Sequence, residues 1–95
     1  MPDQPQPTIS FGAFVFSIAS NAAVMFGDIP DPVSNQTRPP DLEGASQLIE
    51  ILGMLQDKTR GNLTPDEQQL LEGVLYELRM RYVEAGKPKS SIILP

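Results

Sequence analysis

A chain of 95 residues with a formal net charge of −5 fits one small domain with little stability to spare. The acid excess argues against a nucleic-acid partner, whose phosphates need Lys and Arg. There is no Cys, which excludes disulfides, thiolate catalysis and cysteine metal sites, and no His, which removes the commonest general base and the commonest transition-metal ligand.

Residues 1–9 hold Pro2, Pro5 and Pro7 and little to bury, so they read as a disordered lead. The first cation is Arg38, which leaves the N-terminus without the basic region of a secretory signal. With the missing cysteines this predicts a cytoplasmic chain. Residues 10–26, free of proline and charge, predict a first helix. Phe11, Phe14, Ile18, Ala22 and Met25 fall on one stripe, flanked by Val15 and Phe26, while Ala13, Phe16, Ala23 and Val24 fall opposite. A helix apolar nearly all round implies burial on more than one side. It packs on the rest of the domain or at an interface, or else it contacts or crosses a membrane, since the uncharged run from Ile9 to Gly27 is about long enough. Against crossing stand Ser17, Ser20 and Asn21 near its middle, acids at its flanks and the lack of an aromatic belt.

Residues 27–40 contain Pro30, Pro32, Pro39 and Pro40 and predict an extended linker with turns. Asp28 and Asp31 lie within it, but a hard cation needs about six oxygens, so the two acids are expected to cap or solvate the turn. At about 3.3 Å per residue the linker is long enough to carry the first helix to a second subunit. A second helix is predicted over 41–60, with Asp41 as N-cap and an apolar face of Leu42, Ala45, Leu48, Ile49, Leu52 and Leu55. Met54 falls on its polar side.

Lys58, Arg60 and Gly61 form a helix stop, with cations by the last carbonyls and then a residue tolerant of positive φ. Thr64, Pro65, Asp66 and Glu67 form a start, in which Thr64 and Glu67 can cap each other reciprocally. A connection this short predicts antiparallel neighbours. The third helix, over 65–85, turns Leu70, Leu71, Val74, Leu75, Leu78 and Tyr82 toward the second. Gly73, Tyr76, Met80 and Val83 form a second stripe at seam spacing, open to the first helix, to a partner's first helix or to the same stripe of a twin. Arg79 and Arg81 suit the helix C-terminal half, and Glu77 is expected to pair with Arg81 at i,i+4 rather than leave an anion site. Residues 87–95 read as a loose tail.

The expected fold is therefore all-α: an antiparallel hairpin of the second and third helices, an apolar N-terminal helix, and completion by oligomerisation. No cofactor or metal site is expected. The residues that would carry an interface are Phe11, Phe14, Phe16, Ile18, Val24, Gly73, Tyr76, Met80 and Val83. The expected function is a noncatalytic interaction module that self-associates, most simply as a dimer, or docks on a larger assembly. The alternative is a membrane-associated accessory subunit anchored by residues 10–26. An enzyme would have only Asp28, Asp31 and Arg79 to work with.

Several stretches together resemble the bacterial family known as domain of unknown function 1844. They are Ser10-Phe11 with Phe14-Val15 and Ser17-Ile18-Ala19, the run Gly27-Asp28-Ile29-Pro30-Asp31-Pro32, the run from Met54 to Thr64, and the run from Leu75 to Glu84. The resemblance spans about Ser10 to Glu84. It implies a small, mostly helical bacterial protein and carries no catalytic residue with it.

Overall fold

A computed structural model describes residues 9–87 of the chain. The expected lead and tail fall, but for Ile9 and Lys87, outside those residues. Three helices, α1 (Phe11–Phe26), α2 (Leu42–Lys58) and α3 (Pro65–Gly86), make an all-α fold, with no strand among the described residues.

Local chemistry sets each helix end. The Ser10 hydroxyl accepts from the Ala13 N–H at 3.0 Å and starts α1, and Gly27, left-handed at φ 81°, ends it. Asp41 caps α2 by accepting from the Gly44 N–H at 2.9 Å. That helix stops at Lys58, two residues short of the expected end at 60, because the Asn62 N–H donates to the Thr59 carbonyl at 2.8 Å and pulls the chain into a turn. Gly61, at φ 84°, carries that turn. The reciprocal cap of α3 is complete: the Glu67 N–H donates to the Thr64 hydroxyl at 3.1 Å and the Thr64 N–H to the Glu67 carboxylate at 2.9 Å.

Each helix packs on the other two. Gly12 lies beside Leu70 and Phe26 beside Arg81, so α1 and α3 run the same way. Gly44, at the start of α2, lies beside Met25, at the end of α1, and the short turn from Lys58 to Pro65 returns the chain alongside, so α2 runs against both. The buried core takes Val15, Ile18, Ala22 and Phe26 from α1, Ala45, Ile49 and Leu52 from α2, and Leu71, Leu75 and Leu78 from α3. The apolar faces of α2 and α3 are thus those expected, except that Tyr82 remains exposed.

On α1 the buried stripe keeps Ile18 and Ala22 but is shifted toward its expected flank. Val15 and Phe26, expected as flanks, fill the core, and Phe14 lies exposed at the edge. Gly12 approaches α3 so closely that a Cβ there would sit 3.2 Å from the Leu70 methyl, which seats α1 deepest on that side and turns Phe14 outward. Val24, expected to face outward, is buried but lies outside the three-helix cluster, at the end of α1 where the connection to α2 returns.

That connection is the main departure from expectation. It closes on itself instead of extending: the Asp41 N–H donates to the Met25 carbonyl at 2.6 Å, joining its two ends. Within it, the Asp31 N–H donates to the Gln36 carbonyl at 2.9 Å and the Asn35 N–H to the Asp31 carbonyl at 2.7 Å. Held by these local bonds, the segment leaves α1 packed on its own chain. Crossing a membrane is also ruled out for the described helices, none of which is long and apolar enough. The 16 residues of α1 would span about 24 Å of a hydrocarbon layer about 30 Å thick.

Leu52 is fully buried at the meeting of the three helices, so Leu52→Ala is expected to cost about 2–5 kcal/mol. Thr64→Ala, which removes only one half of a cap, is expected to cost about 1 kcal/mol. Urea unfolding of both variants checks the pair, and equal losses would contradict the assignment of Leu52 to the core.

Candidate functional site

The ionisable side chains singled out by sequence do not converge. The Arg81 guanidinium donates to both oxygens of Asp28, from Nε at 2.8 Å and from Nη2 at 2.6 Å, and its Cζ lies 5.0 Å from the Phe26 ring centroid. The expected Glu77–Arg81 pair is therefore replaced by one that joins α3 to the start of the connection. Asp31 accepts from the Val33 N–H at 2.8 Å and from Arg38 at 3.0 Å. Arg79 lies over Gly53 of α2. Asp28, Asp31 and Arg79 thus serve three separate contacts. The described residues contain no cluster of three potential metal ligands.

Both carboxylates are held ionised. The Asp28 carboxyl is lowered from its ordinary value mainly by the Arg81 hydrogen bond, partly opposed by desolvation, and Arg81 is raised in turn. Asp31 is lowered chiefly by the Val33 N–H, with a smaller contribution from Arg38. Neither group is poised to exchange a proton near neutral pH. A cavity of about 230 Å³ at the α2–α3 turn is lined by Thr59, Arg60, Leu63, Gln68 and Glu72 among others; its Thr59 hydroxyl donates to the Leu55 carbonyl at 2.8 Å, and Glu72 accepts from the Gln68 amide at 3.2 Å.

What the molecule does present is apolar surface. Phe16 is 62% exposed, Tyr76 63%, Met80 51% and Val83 54%. Between α1 and α3 lies an open groove of about 370 Å³ lined by Ala19, Leu70, Gly73, Val74 and Leu78, with Gln69 and Glu77 at its rim. A Cβ at Gly73 would meet nothing within 4 Å, so another backbone has room to approach. Of the expected interface residues, Phe16, Gly73, Tyr76, Met80 and Val83 are exposed on the outer sides of α1 and α3. Phe14 lies at the other edge of α1, and Phe11 packs on the core. Ile18 and Val24 are buried within the single chain and are unavailable to a partner. Ile51, exposed on α2, was not singled out by sequence, although its place one turn beyond Leu48 marks it as the outer margin of the apolar face. The proposed membrane anchor also loses its deepest side chains, since Val15, Ile18, Ala22 and Phe26 fill the core.

These features define a small all-α protein with three mutually packed helices and an open apolar face. The chain belongs to the family described as Domain of unknown function (DUF1844), whose profile matches residues 8–84. No curated protein and no solved structure matches it.

The Asp28–Arg81 pair should make stability depend on pH. The folded pKa of Asp28 lies below its unfolded value, so the contribution is complete above the unfolded pKa of about 4 and is lost as pH falls through the folded one. Asp28→Asn is expected to lower the urea midpoint at neutral pH and to reduce its further fall between about pH 5 and pH 3. Parallel acid limbs for the two proteins would show that the pair contributes nothing.

Proposed function

We propose that the protein is a noncatalytic interaction module whose working surface is the outer side of α1 and α3, and that its simplest partner is a second copy of itself. The observation that carries this reading is the exposure of Phe16, Tyr76, Met80 and Val83 together on a domain with a small core. Fully burying a Phe or Val side chain is worth about 1.5–3 kcal/mol, so leaving these in water forfeits several kcal/mol in a protein with little to spare. The noncatalytic part is supported by the absence of His and Cys and by the dispersal of Asp28, Asp31 and Arg79 among unrelated contacts.

Sedimentation equilibrium at micromolar concentration tests the proposal. The wild-type chain is expected to dimerise, and Phe16→Glu and Met80→Glu are each expected to shift it toward monomer while retaining the helical signal. A wild-type monomer would refute self-association, and a dimer indifferent to both substitutions would move the interface elsewhere. Turnover in a hydrolase or transferase screen that vanished on Asp28→Ala would refute the noncatalytic reading.

A further inference from the structure

The seam on α3 extends one step further than its four marked residues. Gln69, Gly73, Tyr76, Met80 and Val83 follow at spacings of four, three, four and three, and all are exposed. Such a stripe suits one straight neighbouring helix, and the open space over Gly73 admits it. The two borders of the seam differ in charge. On the border toward α2 stand Glu72 and Arg79, seven residues apart and therefore on one line of the helix. The Arg79 side chain lies on that side, with its Nη2 3.4 Å from where a Cβ at Gly53 would be. At about 1.5 Å per residue the two charges lie about 10 Å apart along the axis, too far to pair with each other. Neither belongs to any of the three ion pairs among the described residues, Arg38–Asp31, Arg60–Asp57 and Arg81–Asp28. Glu72 is held only by the Gln68 amide, at 3.2 Å. The border toward α1 carries Glu77 and Glu84.

We propose that two copies pair through antiparallel α3 helices, with Tyr76 at the twofold axis and Glu72 of each copy beside Arg79 of the other. This rests on the self-association proposed above and specifies its geometry. In an antiparallel twofold pair each border meets the same border of the other helix, and a residue a given distance before the axis faces one the same distance after it. Glu72 lies four residues before Tyr76 and Arg79 three after, so acid meets cation twice. A parallel pair would set this border against the other one, bringing Glu72 toward Glu77 and Arg79 toward Glu84, with half the contacts repulsive. The Glu72–Arg79 border is thus self-complementary in the antiparallel arrangement alone. That arrangement also brings the two Glu77 side chains toward each other, a repulsion whose removal should strengthen the dimer.

The test is charge exchange on the full chain, read by sedimentation equilibrium. Glu72→Arg and Arg79→Glu are each expected to weaken dimerisation about tenfold, since each replaces two attractions by two repulsions. The double variant is expected to recover most of the loss, and Glu77→Gln to tighten association. Because the chain has no Cys, Tyr76→Cys provides an independent check: mild oxidation is expected to yield a covalent dimer, whereas Met54→Cys on the exposed side of α2 is expected to give none. A wild-type chain that is monomeric throughout overturns self-association and this geometry together. A dimer in which the double variant is no better than the singles, and in which Tyr76→Cys fails to cross-link, overturns the antiparallel α3 arrangement and leaves self-association standing.

Discussion

The fold depends on how the C-terminal end of α1 is held. Within three residues, Phe26 enters the core and takes the Arg81 guanidinium over its ring, Gly27 turns left-handed, and Asp28 binds that same guanidinium through both oxygens. A Cβ at Gly27 would lie 2.8 Å from the Arg38 carbonyl, so the returning connection passes where any other residue would obstruct it. One residue earlier, the Met25 carbonyl accepts the Asp41 N–H that starts α2. The exit of α1, the entry of α2 and the C-terminal half of α3 are thereby joined at one point. The ion pair contributes modestly because it is half exposed. Its larger role is geometric, since it sets where an otherwise featureless apolar helix stops and which way the chain turns.

Much of the fold was legible because the relevant chemistry is local. The α3 start is written in four consecutive residues, Thr64 to Glu67, whose cap is satisfied within its own turn. The apolar face of α2 was legible because its other side is polar, and that of α3 because its leucines, Leu70, Leu71, Leu75 and Leu78, gather on one side while the opposite stripe is interrupted by Gly73. On α1 the pattern was degenerate. A helix apolar nearly all round can turn by a fraction of a residue's rotation with little loss of buried surface, and here the side carrying Val15 is buried rather than the side carrying Phe14, with Gly12 close to Leu70. The partner of Arg81 was hidden differently. Glu77 was the acid at i,i+4 spacing, whereas Asp28 lies 53 positions away and is brought near only once α1 and α3 have docked side by side.

The closed connection corrects a more general inference. Proline content and length suggested reach, and reach suggested exchange between subunits. Prolines restrict φ without fixing where a segment goes, and here Asp31 organises the interior of the loop by accepting from Val33 and Arg38 while its own backbone closes onto Asn35 and Gln36. The segment acts as a clasp, and the apolar surplus of α1 has to be accounted for on the monomer. Part of it is resolved there, since Val24 is covered at the end where the connection returns. Phe16 is not, because it lies too far toward the middle of the helix.

The apolar face and the clasp are then coupled. Phe16 belongs to α1, and Tyr76, Met80 and Val83 belong to α3, so the composite surface exists only while α1 is docked against α3. The groove between them, floored by Leu70, Val74 and Leu78 and bounded by Ala19, would lose one wall if α1 came away. Anything that binds the assembled face and not the opened chain stabilises the docked state by mass action, and the local opening of α1 correspondingly weakens such binding. In a domain with so small a core, the surface proposed for a partner and the packing that makes the fold are two sides of the same helices. A substitution that loosens the Asp28–Arg81 pair is therefore expected to weaken the proposed association without touching the proposed interface.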